Sequence, residues 1–157
     1  MPSRLIRTAD DLDALFTLLG NSKLPLTIDW VQGADRTAQQ NRLMWRWAQE
    51  AAEQRGDLTP DEVQREWKLN HGIPILCEDS EEYRSFCNLT LKRLTYQQRL
   101  EAMRYVPVTS ELKVKQMVRF MDTVERECVE QGIQLTQPDP DLAAYQSRHR
   151  TAEARAA

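Results

Sequence analysis

The chain of 157 residues contains no apolar run near the roughly 20 residues that a bilayer-spanning helix needs, so a membrane partner is not expected. Glycine is scarce, with five residues, and proline is limited to seven, which excludes collagen-like and low-complexity architectures. The three cysteines, Cys77, Cys87 and Cys128, form no CxxC pair, and His71 and His149 supply no zinc spacing. Neither a disulfide framework nor a metal site is expected, and nothing calls for a cofactor. A P-loop, a dinucleotide fingerprint and a nucleophile elbow are all missing, so the expectation is a protein that is not an enzyme. The amino terminus, Met1-Pro2-Ser3-Arg4, lacks the apolar core of a signal peptide, which points to the cytoplasm.

What is present is an ordinary globular composition with an uneven charge pattern. The net charge of -3 conceals a basic run from Arg84 to Arg119, with eight basic residues against Glu101 and Glu111. An acidic run follows from Asp122 to Asp141, with six acids against Arg126 alone. A local basic field can steer a phosphate backbone to one face of an acidic protein, although for any single one of these charges solvated surface is the better reading.

Arg4–Arg7 reads as a short strand, Thr8 as the cap of a helix carrying Leu12, Leu15, Phe16 and Leu19, and Pro25–Val31 as a second strand with Leu26, Ile28 and Trp30 on its buried face. The next helix is expected from about Thr37 to Gln54, with Met44, Trp47, Ala48, Ala51 and Ala52 inward. Thr59-Pro60-Asp61-Glu62 is a capping box that opens a helix, which Gly72, Pro74 and the polar run Glu78-Asp79-Ser80-Glu81-Glu82 are expected to interrupt. Tyr83–Leu94 and Thr95–Arg104 read as helices. The 3-4 spacing of Val114, Met117, Val118, Met121, Val124 and Cys128 gives a long helix that Gly132 ends. Ile133–Thr136 reads as a terminal strand. Residues 1–136 are therefore expected to form one domain, and 137–157 a linker and tail, frayed helix or disordered.

One stretch carries the chemistry. Arg36 to Trp47 holds three arginines, two glutamines, an asparagine and two tryptophans without an acid. If Thr37 or Ala38 opens the helix, Arg36, Gln40, Asn41 and Arg42 surround its first turn, where free N–H groups and the positive dipole end favour an anion. Trp45 follows Asn41 by one turn, within reach of a base stacked beside the phosphate contact. The alternative is a well-formed structural helix with a packed tryptophan.

Arg36-Thr-Ala-Gln-Gln40-Asn41-Arg42-Leu-Met-Trp45 resembles the R-[ST]-x-x-Q-N-x-x-[LM]-[WH] signature of the phage NinB recombination family. Asp61–Lys68, ending in Trp67-Lys68, is similar to that family's next helix. Val108-Thr109-Ser110-Glu111-Leu112-Lys113-Val114, with the long helix and Gly132-Ile133 after it, resembles its third block, although Glu111 replaces a basic residue there. The order of the blocks matches over about residues 1 to 136. The resemblance implies an α+β fold of the RAGNYA type, a small sheet from N-terminal and C-terminal strands packed with several helices. It further implies a homodimer that binds single-stranded or gapped DNA, engages the host single-stranded-DNA-binding protein and helps a recombinase load. Matched by position, the DNA-binding candidates are Arg36, Gln40, Asn41, Arg42, Trp45 and Lys113. The rival readings are a small structure-specific nuclease, using the acids Glu78, Asp79, Glu81 and Glu82, and a protein-interaction module without a DNA role.

Overall fold

The computed structural model describes Arg4, residues 6–29 and residues 34–150, the side chains of 34–37 excepted. The chain folds as two compact units, Met1–Arg36 and Thr37–Ala157. In the first, α1 (Ala9–Gly20) is opened by a reciprocal cap. Thr8 Oγ1 accepts the Asp11 amide at 3.2 Å, while Asp11 Oδ2 accepts the amides of Arg7 and Thr8 at 3.0 Å each. Those backbone donors hold the Asp11 carboxyl below its ordinary range.

The second unit holds most of α2 (Ala34–Arg55) together with α3 (Pro60–Trp67), α4 (Ile73–Asp79), α5 (Glu81–Leu89), α6 (Tyr96–Ala102), α7 (Val114–Glu130) and α8 (Pro140–His149). Its core has two parts. The larger gathers Met44, Trp47, Ala48 and Ala51 of α2, Val63 and Trp67 of α3, and Phe120, Met121, Val124 and Cys128 of α7. The smaller lies around Ile73, Leu76, Cys87, Leu91, Met103 and Val108. Helix α4 serves both, with Ile75 in the first and Ile73 and Leu76 in the second.

No described residue lies in a β-strand, which overturns the α+β expectation and its small sheet. Leu26 and Ile28, expected on a buried face, are 42% and 51% exposed, while Trp30 and Val31 lie outside the described residues. The carboxy-terminal strand candidate fails for an identifiable reason. Residues 133–136 lie in neither helix nor strand, and their polar backbone is met by side chains of a helix. Trp47 Nε1 donates to Thr136 O at 2.6 Å, Thr136 N donates to Glu50 Oε2 at 2.8 Å, and the Thr136 hydroxyl donates to Glu50 Oε1. Gln54 closes the row, donating from Nε2 to Gln134 O at 2.7 Å and accepting the Gln134 amide at 2.8 Å. Residues 47, 50 and 54 share one helical face, so α2 supplies the donors and acceptors that a neighbouring strand would have supplied. The alternation of the sequence was real; the partner was a helix.

Burial pushes the Glu50 carboxyl upward, but the hydroxyl and amide of Thr136 together with the Arg46 guanidinium more than offset this, leaving its pKa below the ordinary value. A carboxyl depressed in the folded state contributes stability that is full above its unfolded pKa and is lost as the pH falls through the folded value. The stability gap between wild type and Glu50→Gln, read from urea midpoints, is therefore expected to be larger at pH 7 than at pH 3. A gap independent of pH would contradict this account.

The helix that Gly72 and Pro74 were expected to break instead continues. A π-helical turn, Lys68–Gly72, joins α3 to α4, and the Ile73 amide reaches back five residues to Lys68 O. Widening the helix by one residue lets a prolyl residue with no N–H enter the first turn of α4. The break comes at Ser80, which caps α5 and lies inside the polar run Glu78–Glu82 that was also expected to interrupt the helix. The Tyr83–Leu94 expectation divides at Thr90 into α5 and a 3₁₀ turn, Leu91–Arg93. The packing of α4 against α5 brings the free thiols of Cys77 and Cys87 within 3.4 Å, and burial, aided by Cys77, pushes the Cys87 pKa up to about 12.

The segment expected as a frayed or disordered tail forms α8 as far as His149. Asp139 caps it through the Leu142 amide at 2.8 Å, and Pro140 occupies its first turn. Leu142 enters the larger core cluster, and Arg150 grips Asp122 of α7 through two hydrogen bonds of 2.9 and 3.0 Å. Its few apolar residues suffice because they fall on one side. Residues 151–157 lie outside the described residues.

Candidate nucleic-acid interface

Helix α2 begins at Ala34, earlier than the spacing suggested, so Gln40 to Trp45 lie beyond its first turn. Arg36 belongs to the first unit, and its side chain is not described. The other candidates on α2 separate by helical phase. Asn41 and Arg42 are exposed, and Trp45 is 44% exposed one turn past Asn41. Trp47 is 1% exposed, so the two indoles do face opposite ways. Gln40 is 2% exposed, and its amide nitrogen has no hydrogen-bond partner among the described residues. Arg42 has no ion-pair partner among the described residues, whereas Arg46, one turn on, reaches Glu50 at 3.4 Å.

A pocket of about 200 Å³ opens beside this face. From α2 it takes Asn41 and Met44; from α3, Gln64 and Trp67; from the π-helical turn, Lys68; from the 3₁₀ turn Thr109–Glu111, Thr109; and from α7, Phe120. Met44, Trp67 and Phe120 are buried and form its apolar wall. The side chains of Asn41, Gln64, Lys68 and Thr109 make no hydrogen bond or ion pair among the described residues. Among those residues no acid lines the pocket, and Lys68 is its one charge.

Lys113 is placed elsewhere, at the N-cap of α7. It lines a shallow groove of about 520 Å³ with Asp79, Val114, Lys115, Gln116 and His149. The structure thus groups Asn41, Arg42 and Trp45 on one helical face and gives Lys113 a different surface. Gln64, Lys68 and Thr109 were missed by the sequence reading. Their signal was available: Gln64 and Lys68 are four residues apart on one helical face, and both belong to the second block of the resemblance.

The basic run from Arg84 to Arg119 is less available than its charge suggests. Arg84 caps α4 by donating to Cys77 O at 2.8 and 3.0 Å, and Arg99 donates to the carbonyls of Leu91, Leu94 and Lys92. Arg104 pairs with Glu101, and Arg119 pairs with Glu78. Lys92, Arg93, Lys113 and Lys115 remain exposed without such partners among the described residues. Half of the run is spent on holding short helices together.

No group of three or more His, Cys, Asp or Glu residues among those described is placed to hold a metal ion. Among the described residues, no helix is long and apolar enough to cross a membrane. Comparison with known proteins gives no family model, no curated protein and no solved structure that matches this chain.

Proposed function

We propose that this chain is a non-enzymatic accessory protein of phage-type recombination, akin to the NinB family, which binds single-stranded or gapped DNA. One observation carries the reading: the three sequence blocks on which the resemblance rests meet at one pocket. Asn41 and Met44 come from the first, Gln64, Trp67 and Lys68 from the second, and Thr109 from the third. Segments separated by tens of residues supply amides, a hydroxyl and an ammonium, unpartnered among the described residues, around an apolar wall. That combination suits a strand whose bases are unstacked and whose phosphates are charged.

In this reading Arg42 holds a phosphate beside the pocket, Trp45 stacks on a base, and Asn41 hydrogen-bonds next to it. Arg36 supplies a further phosphate contact. Lys113 and Lys115 extend the electrostatic attraction over a second surface. The protein works as a homodimer in the bacterial cytoplasm, holding DNA while it competes with or bridges to the host single-stranded-DNA-binding protein, so that a recombinase can load.

Labelled single- and double-stranded oligonucleotides titrated at two salt concentrations test the proposal. Wild type is expected to prefer the single strand, with affinity falling as salt rises. Arg42→Glu should weaken binding about tenfold or more and reduce the logarithmic salt slope by roughly 0.7, the value for one phosphate contact on a single strand. Arg42 is exposed, so the variant should retain its melting temperature. Unchanged affinity in the folded variant would remove this face from the site. Magnesium-dependent cleavage of the strand would favour a nuclease, and a lack of salt-sensitive binding would favour a protein-interaction module.

A further inference from the structure

The pocket beside Asn41 has a size and lining that specify more than strand binding. A cavity of about 150 Å³ lined by apolar groups accepts a benzene ring, while drug-sized ligands need about 300 Å³ or more. At about 200 Å³, this pocket accommodates one heteroaromatic ring system and little else. Its wall of Met44, Trp67 and Phe120 offers polarizable and aromatic surface. Asn41 and Gln64 bring two carboxamides to it, each with a donor and an acceptor in one plane, the pairing that matches the edge of a base. Thr109 adds a hydroxyl that can donate or accept, and Lys68 adds a cation.

We propose that this pocket receives a single nucleobase, turned out of a bound strand, with its ring against Met44, Trp67 and Phe120 and its edge read by Asn41 and Gln64. Lys68 holds the phosphate attached to that nucleotide. The inference rests on the single-strand reading above and adds a defined base site to it. Three features support it together. The four polar side chains have no partner among the described residues to satisfy them. The apolar wall keeps a small accessible remainder of Met44 and Trp67, 5% each, that a ring would cover. With no acid in its described lining, nothing there repels the phosphate that a nucleobase carries with it. A duplex cannot use such a site without first losing a base pair, so the pocket also accounts for the expected preference for single strands.

The experiment compares a labelled 12-nucleotide deoxyadenosine strand with a labelled abasic strand of equal length, at two salt concentrations, by fluorescence anisotropy. Wild type is expected to bind the base-bearing strand more tightly. Asn41→Ala combined with Gln64→Ala should lower that affinity roughly tenfold, within the range set by loss of base-edge hydrogen bonds, and leave both the abasic affinity and the salt slope unchanged. Lys68→Ala should weaken both strands and flatten the slope. Asn41 is exposed and Gln64 half-buried, so the double variant should melt with wild type. If it binds the base-bearing strand as tightly as wild type does, the base pocket is refuted while the single-strand reading stands. Equal wild-type affinity for the two strands refutes it likewise. If wild type binds neither strand, the single-strand reading falls and the pocket falls with it.

Discussion

Trp47→Ala is expected to lower the stability of the second unit by about 3–5 kcal/mol, the range for truncating a fully buried tryptophan. For a domain of this size that corresponds to a melting temperature reduced by about 10 °C or more. Two losses combine. The indole is 1% exposed in the larger core cluster, so its removal leaves a cavity among α2 and α7 side chains and beneath the 133–136 segment. The same substitution removes the 2.6 Å hydrogen bond from Nε1 to Thr136 O. Trp47→Phe separates these contributions. It keeps most of the ring volume and gives up the hydrogen bond, which should cost about 1 kcal/mol beyond the modest volume change. Urea denaturation of both variants provides the measurement. A Trp47→Ala loss below about 1 kcal/mol would mean that the indole is not the anchor of this core, given the usual range for such truncations. Trp45 makes the contrast: at 44% exposure on the other side of the helix, its truncation should cost less stability than that of Trp47, and a DNA-binding defect in Trp45→Ala is assigned to the missing ring once a melt shows the variant folded.

Gly72→Ala should also destabilise, although alanine is normally the better helical residue by about 1 kcal/mol. A Cβ at position 72 would stand 2.5 Å from Val108 Cγ1 and 3.6 Å from Phe120 Cε2. Val108 is buried, and a β-branched side chain has little rotameric freedom with which to yield. Overpacking of this kind costs about 1–3 kcal/mol, which exceeds the helical gain. The backbone must separate the π-helical turn from the segment around Val108. Thr109 follows Val108 directly, and Phe120 lines the same pocket, so the strain reaches the candidate base site as well. Thermal melts should show a decrease of several degrees for Gly72→Ala and a larger one for Gly72→Val. Gly20→Ala is the control, since no described atom lies within 4 Å of a Cβ there. A Gly72→Ala protein as stable as wild type would show that Val108 repacks freely.

Several helices of this molecule were legible because their signals are local. The capping box at Thr59 and Glu62, the inward face of α2 and the spacing from Met117 to Cys128 all lie within a few turns of chain, and the structure bears them out, while Val114, the first residue of that stripe, is 42% exposed. The strands were misread because alternation specifies which side of a segment is apolar, not what pairs with its backbone. Leu26 and Ile28 alternate without a buried face, and Gln134 and Thr136 alternate against a helix. Asn41, Arg42 and Trp45 were placed on the outer face of α2 from phase alone. Gln40 differs by one position in sequence and by burial in fact, a distinction that requires knowing where the core lies. The pocket was invisible at that level, since it needs Asn41, Gln64 and Thr109 to be brought together by three separate helical segments and turns.

The clasp of α2 on residues 133–136 also governs how this region exchanges its protons. The amides of Gln134 and Thr136 are held by Gln54 and Glu50, whereas that of Leu135 has no acceptor among the described residues. The Ile133 amide is held as well, by Cys128 O at 2.8 Å, so the alternation runs over residues 134–136; there, protection at every second amide is the signature of an edge strand, whose alternate N–H groups point toward and away from a neighbour. A deuterium-exchange map of this protein would therefore draw a β-edge where the neighbour is a row of helical side chains. Its slowest opening there would report the release of that row from the chain end leading into α8.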